Sequence, residues 1–183
     1  TPMVATARLI KQEHPDASVV FIGPCASKKL EASRRTVRSD VDFVITFEEL
    51  TGMFEAKGIL LDEIKAMDEM KDATAAGRGY GVAGGVANAI KECIEKYYPG
   101  TPVNIQHAES LAECKKALLL AKAGKMNGCL IEGMACPGGC IAGAGTNIAI
   151  PVAAKAVDKF KNEAEKKVPD ESVDQEMVEL EKE

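Results

Sequence analysis

Residues 132–146 read EGMACPGGCIAGAGT, and this stretch decides the fold. Cys136 and Cys140 flank a Pro-Gly-Gly turn, with glycines at 133, 138, 139, 143 and 145. Thiolates are metal ligands. Glycines let main chain pass close to a bulky inorganic cluster, because no Cβ stands in the way. A second cysteine peptide, GPCASKKLEASRR at Gly23–Arg35, sets Cys25 beside Lys28 and Lys29. Three thiols in two such settings point to iron–sulfur chemistry.

Other metal readings are weaker. A radical-type Cys-x-x-x-Cys-x-x-Cys motif is excluded, because position 143 is Gly. Zinc would want a fourth thiol or a histidine, and His14 and His107 lie in other segments, where they read as ordinary surface or strand-end residues. Cys93, Cys114 and Cys129 fall within two helices and an apolar strand and read as small hydrophobes. The Gly79-x-Gly81-x-x-Gly84 spacing is a weak match to a dinucleotide fingerprint, since no convincing strand precedes it. It reads better as a backbone turn packed near the cysteine loop. Lys28, Lys29, Arg34, Arg35 and Arg38 form a basic run. The plain reading is a solvated loop; the sharper one turns Lys28, with Cys25, towards an anionic ligand.

Around these peptides the hydrophobic pattern alternates strand and helix. Residues 3–14 have helical spacing, with Val4, Ala7 and Ile10 near one face, and Pro15-Asp16 ends the run. Residues 18–22 (SVVFI) suit a buried parallel strand that stops at Gly23-Pro24, so Cys25 stands at a strand's carboxyl end, where open α/β sheets build sites. Residues 41–45 suggest a second strand. Thr46 and Glu49 form a capping box opening a helix to about Lys57. Residues 61–76 read as surface helix or loop, and Gly77–Gly85 as a flexible loop feeding a helix over 86–97. A strand at 103–106, a helix from Ser110 to Gly124, a strand at 129–131 and a last helix from Asn147 or Val152 complete the order. The expected fold class is α/β, mainly a parallel sheet flanked by helices.

Composition sets the frame. The chain has 183 residues, 46% hydrophobic but only 4% aromatic and without Trp, so its core must be aliphatic. Residues 161–183 hold nine acidic and four basic side chains and carry the whole net charge of −5. The expected division is therefore an iron–sulfur domain at 1–160 and a charged helical or disordered tail at 161–183. No basic face for nucleic acid is implied, and the apolar stretches are too short to cross a bilayer. Six cysteines without a signal peptide suggest a reducing cytoplasm.

The two cysteine peptides together resemble the iron-only ([FeFe]) hydrogenase large subunit, C-terminal catalytic domain. That family's second cysteine motif usually reads Met-Pro-Cys-x-x-Lys-Lys-x-Glu, which Gly23–Glu31 matches except at its first position. The third usually reads Glu-x-Met-Ala-Cys-x-x-Gly-Cys, which Glu132–Cys140 matches throughout. The resemblance covers roughly residues 1–160 and implies part of a two-lobed catalytic domain. It implies an H-cluster, a 4Fe–4S cubane joined to a diiron subcluster bearing CO and cyanide. Cys25, Cys136 and Cys140 would be its metal and cofactor ligands, with Cys140 bridging to the diiron unit. Lys28 would donate to a cyanide, Met134 would pack against the diiron unit, and Glu31 would relay protons. The expected activity is reversible hydrogen oxidation and proton reduction with a ferredoxin-like donor, in an anaerobic bacterium, after assembly by hydrogenase maturation proteins.

Three departures qualify that expectation. The family's first cysteine motif is absent, so the chain is expected to be a fragment, inactive alone and short of a fourth cubane ligand. Gly23 stands where a Met usually contacts the diiron unit. Ala142, Ala144, Thr146 and Asn147 replace the usual Gly-Gly-Gly-Gln-Pro ending. The alternative reading is therefore a non-catalytic hydrogenase-like iron–sulfur protein, for cluster assembly or hydrogen sensing.

Overall fold

The computed structural model describes residues 1–37, 39–65 and 73–169. Arg38, residues 66–72 of the 61–76 segment and the tail beyond 169 lie outside the described residues. The chain forms two compact units. One is built on Thr1–Ala66 with Gly143–Asn147, the other on Met67–Ala142 with Ile148–Gln175.

In the first unit, helix α1 (Pro2–Glu13) opens with Pro2 in its first turn, where the missing N–H has no helical partner to lose. It buries Met3, Val4 and Ala7 against Val41. Strands β1 (Val20–Ile22) and β2 (Phe43–Ile45) pair in parallel, with Phe21 opposite Val44. Phe21 and Val44 pack onto the α1 cluster, while Val20 and Phe43 on the opposite face are exposed, the period of two that a strand imposes.

The crossover between β1 and β2 holds a helix that the charge pattern hid. Residues 28–35 read as a solvated loop, yet Ser27–Ser33 is helix α2. Lys, Leu, Glu and Ala are good helix formers, and Ala32 packs against the core cluster while Lys29 stays exposed. Lys29 pairs with Glu49 of helix α3 (Phe47–Ala56). The predicted capping box of α3 is present. Glu49 N–H donates to Thr46 Oγ1 at 3.2 Å, and Thr46 N–H donates to the Glu49 carboxylate at 2.8 Å.

The Lys29 hydrogen bond, with the Thr46 N–H behind it, lowers the Glu49 carboxyl from 4.5 to about 2. A carboxylate whose folded value lies below its unfolded one stabilises the fold above the unfolded value. That contribution is lost as pH falls from about 4.5 towards about 2. E49Q is therefore expected to flatten the acid limb of unfolding, read as urea midpoints between those pH values. An acid limb identical to wild type would show that Glu49 does not cap α3 in solution.

In the second unit, strands β3 (Asn104–Glu109) and β4 (Cys129–Met134) pair in parallel over their full length, with His107 opposite Glu132 and Glu109 opposite Met134. Both run further than the sequence pattern suggests, because Gly133 and charged Glu109 mask strand ends that pairing supports. Helix α6 (Leu111–Lys122) crosses one face. There Cys114 Sγ lies 3.6 Å from the Ala108 carbonyl and 3.8 Å from that of Met134, a half-buried packing role as expected. The opposite face carries His107, Glu109, Glu132 and Met134.

The expected flexible loop at 77–85 is instead built structure. Helix α4 (Ala75–Arg78) is capped by Thr74 and followed by a tight turn at Gly79–Gly81. Arg78 lies over the Phe160 ring at 4.1 Å and donates to the Phe160 carbonyl at 2.9 Å. Phe160 belongs to helix α7 (Ile150–Asn162). The chain beyond α7 returns to α4, where the Ala75 and Ala76 N–H groups donate to the carbonyls of Lys166 and Lys167, and Val168 is buried. Helix α5 (Gly85–Tyr97) follows the turn. Alanines 76, 87, 89, 108, 117 and 153 are buried, as a chain poor in aromatics requires.

The α/β class and parallel pairing stand as expected. The described strands form two separate two-stranded sheets, each closed by its own crossover. No helix among the described residues is long and apolar enough to cross a membrane.

Candidate iron–sulfur site

Cys136 and Cys140 sit on the loop that leaves β4, and both are half-buried and outside any disulfide. The Pro137-Gly138-Gly139 turn between them bends through left-handed backbone, with φ of 93° at Gly138 and 92° at Gly139. Gly139 also has no room. A Cβ there would stand 2.5 Å from the Ala83 nitrogen and 2.8 Å from the Gly81 carbonyl oxygen. The 79–84 turn is thus packed on the cysteine loop, as its glycine spacing suggested, and Ala83 N–H donates to the Gly138 carbonyl at 3.1 Å.

Glu132 and His107, the latter read as an unremarkable strand-end residue, take part in holding this arrangement. Glu132 is a buried carboxylate. It accepts from Gly84 N–H at 2.6 Å and Ala87 N–H at 3.0 Å, both at the start of α5. His107 Nδ1 lies 3.1 Å from the same carboxylate. Burying a carboxylate is tolerable when several donors replace its water. From sequence, the signal was Glu132 as the first residue of the third cysteine motif, just past the expected strand at 129–131.

Cys25 lies in the first unit, just past β1 as predicted, half-buried and free. Its loop is tied to residues 143–147: Gly145 N–H donates to the Pro24 carbonyl at 2.9 Å. Asn147, one of the departures from the family pattern, donates to the Phe47 carbonyl and to Thr51 Oγ1 on α3. The segment following Cys140 in sequence is therefore also the one that braces Pro24–Cys25. Among the described residues, no three His, Cys, Asp or Glu side chains converge as a group able to hold a metal ion.

Lys28 and Glu31, candidate catalytic residues, face each other on α2. Lys28 Nζ donates to Glu31 Oε2 at 2.5 Å, and Thr1 Oγ1 donates to Oε1 at 2.7 Å. Partial burial pushes the Glu31 carboxyl up, but the Lys28 and Thr1 hydrogen bonds and the charge of Lys28 hold it below its ordinary value. Glu31 is thereby kept ionised. Met134 ends β4, half-buried.

The sequence profile described as "Iron only hydrogenase large subunit, C-terminal domain" matches residues 1–144. The chain belongs to that family. Hydrogenase structures share its fold. One, studied for oxygen inactivation of the H cluster, superposes with a TM-score of 0.58 and 20% identity, over 94% of this chain and 62% of that one. An [FeFe]-hydrogenase of Chlamydomonas reinhardtii superposes with a TM-score of 0.57 and 21% identity, over 87% of this chain and 58% of that one. A curated relative is the cytosolic Fe-S cluster assembly factor NAR1 of Kluyveromyces lactis. It is 43% identical over 53 residues, which is 29% of this chain and 11% of that protein. The chain thus spans about three-fifths of the hydrogenase chains and a small part of the assembly factor.

Proposed function

We propose that this member of the hydrogenase family is the cluster-holding part of an iron–sulfur protein that assembles or carries clusters without turning over hydrogen. Cys25, Cys136 and Cys140 would supply thiolates to a 4Fe–4S cluster, which contributes electron storage or a cluster for transfer. The carrying observation is the Cys136–Cys140 loop. Its two cysteines form no disulfide, and its central glycines take a backbone that a side chain would block. Soft thiolates on glycine backbone suit iron–sulfur clusters.

Gly23 favours the non-catalytic reading. A Cβ there would stand 2.8 Å from the Phe21 ring, so the methionine that members of this family usually place at a diiron unit has no space unless Phe21 moves. The resemblance to a cluster assembly factor points the same way.

The second reading is hydrogen turnover, favoured by the complete third motif and by the hydrogenase fold. Under it Lys28 would donate to an anionic diiron ligand, Glu31 would relay protons and Met134 would pack at the diiron unit. A ferredoxin-like donor and hydrogenase maturation proteins in an anaerobic cytoplasm would be its partners. Glu31 would then have to exchange protons while salt-bridged to Lys28.

Infrared spectra separate the two. A chain extended upstream to carry the family's first cysteine motif as well, matured anaerobically with hydrogenase maturation proteins, is expected to show a reconstituted cluster and no bands of iron-bound CO or cyanide. Such bands would establish the second reading instead.

A further inference from the structure

We propose that Glu109 and Glu132 are positioning residues that clamp the cysteine loop in its cluster-ready shape before any metal arrives. Neither is a thiolate ligand. The two project from paired strands onto the same face of the β3–β4 sheet, one residue pair apart along a face whose side chains alternate.

Each acts on Gly138 by a different route. Glu109 acts directly: its Oε2 accepts the Gly138 N–H at 2.9 Å. Glu132 acts through the neighbouring turn. It holds Gly84 N–H and Ala87 N–H, and the adjoining Ala83 N–H donates to the Gly138 carbonyl. Both polar groups of Gly138 are therefore occupied, and the turn between the two thiols is fixed from above and below. Preorganisation of this kind removes the ordering cost from the binding step.

The acceptor count sets the two residues apart. Glu109 uses one oxygen towards the loop, so glutamine can replace it. Glu132 uses both: Oε1 takes Ala87 N–H, while Oε2 takes Gly84 N–H and faces His107 Nδ1. A glutamine has one acceptor oxygen and presents an NH2 where the second donor stands. A residue that only filled space would tolerate glutamine equally at both positions.

This inference rests on the cluster-binding reading only for its second readout. The first is residue-resolved hydrogen exchange of the metal-free full chain, for wild type, E109Q, E109A, E132Q and E132A, each checked for secondary structure by circular dichroism. Exchange at Gly138 is expected to rise roughly ten- to a hundredfold in E109A, the worth of a hydrogen bond to a charged acceptor, and to stay near wild type in E109Q. Exchange at Ala83, Gly84 and Ala87 is expected to rise in E132Q as well as in E132A. The second readout is iron bound after anaerobic reconstitution, expected to fall in E109A, E132A and E132Q but not in E109Q. Wild-type protection in E132Q, or equal loss in E109Q and E109A, would overturn the clamp. If protection changes as expected but a wild-type chain extended to carry the family's first cysteine motif binds no iron, the clamp stands and the cluster reading falls. If wild type binds iron but protection is unchanged in every variant, the cluster reading stands and the clamp falls. Because exposed Glu109 can be altered with the least risk to folding, its Gln and Ala pair decides between these outcomes even if the Glu132 variants unfold.

Discussion

Gly139→Ala is expected to destabilise the protein by roughly 2–4 kcal/mol, combining left-handed backbone strain with forced overpacking. The φ of 92° already disfavours any residue with a Cβ. The added methyl would also meet the Ala83 nitrogen at 2.5 Å and the Val82 carbonyl carbon at 2.7 Å. These are backbone atoms and cannot swing aside as a side-chain tip can. The 79–84 turn would have to retreat from the cysteine loop, breaking the Ala83 N–H bond to Gly138. Denaturant unfolding of Gly139→Ala beside Gly52→Ala checks this. Gly52 is the control because a Cβ there meets nothing within 4 Å. Equal stability of the two variants would mean that the loop does not pack on the turn. Such a loss is a sizeable share of the roughly 5–15 kcal/mol that holds a domain together.

The cysteine substitutions are expected to act on metal rather than on fold. Cys25→Ser, Cys136→Ser and Cys140→Ser should each lose bound iron after anaerobic reconstitution. The loss should exceed the roughly 10–100-fold that outer-shell partners alone are worth. Cys93→Ser, within α5, should retain wild-type iron. A hydroxyl is a poor match for iron where a thiolate is called for. Iron and sulfide analysis with the visible charge-transfer spectrum reads the result. Equal loss in all four would remove the ligand assignment. Retention in Cys25→Ser alone would restrict ligation to the β4 loop.

Much of the fold was legible because local signals and tertiary structure agree. The Thr46–Glu49 box forms where its residue types demand it. Gly23-Pro24 ends β1 because proline cannot continue the ladder, and Cys25 follows at the strand's end. Helix α2 was not legible. The Lys and Arg run that it opens looks like solvent-exposed loop, and its side chain packed against the core is the small Ala32. The 77–85 segment misled in the same way. Glycines suggest flexibility in a sequence, whereas here they permit close packing, and Arg78 on Phe160 fastens the segment to a helix far along the chain.

What the sequence by itself determined is the chemistry: three thiols, the glycines around two of them, and the family to which those motifs belong. These depend on residue identity and short spacing, which a chain carries whether folded or not. Only the tertiary structure decided which groups hold the loop. Glu109, Glu132 and Ala83 lie far apart in sequence, and parallel pairing of β3 with β4 is what sets both carboxylates on one face. A buried carboxylate in a strand reads as an anomaly until its donors are seen. Those donors are backbone N–H groups, identical at nearly every residue, and folding alone selects which of them converge.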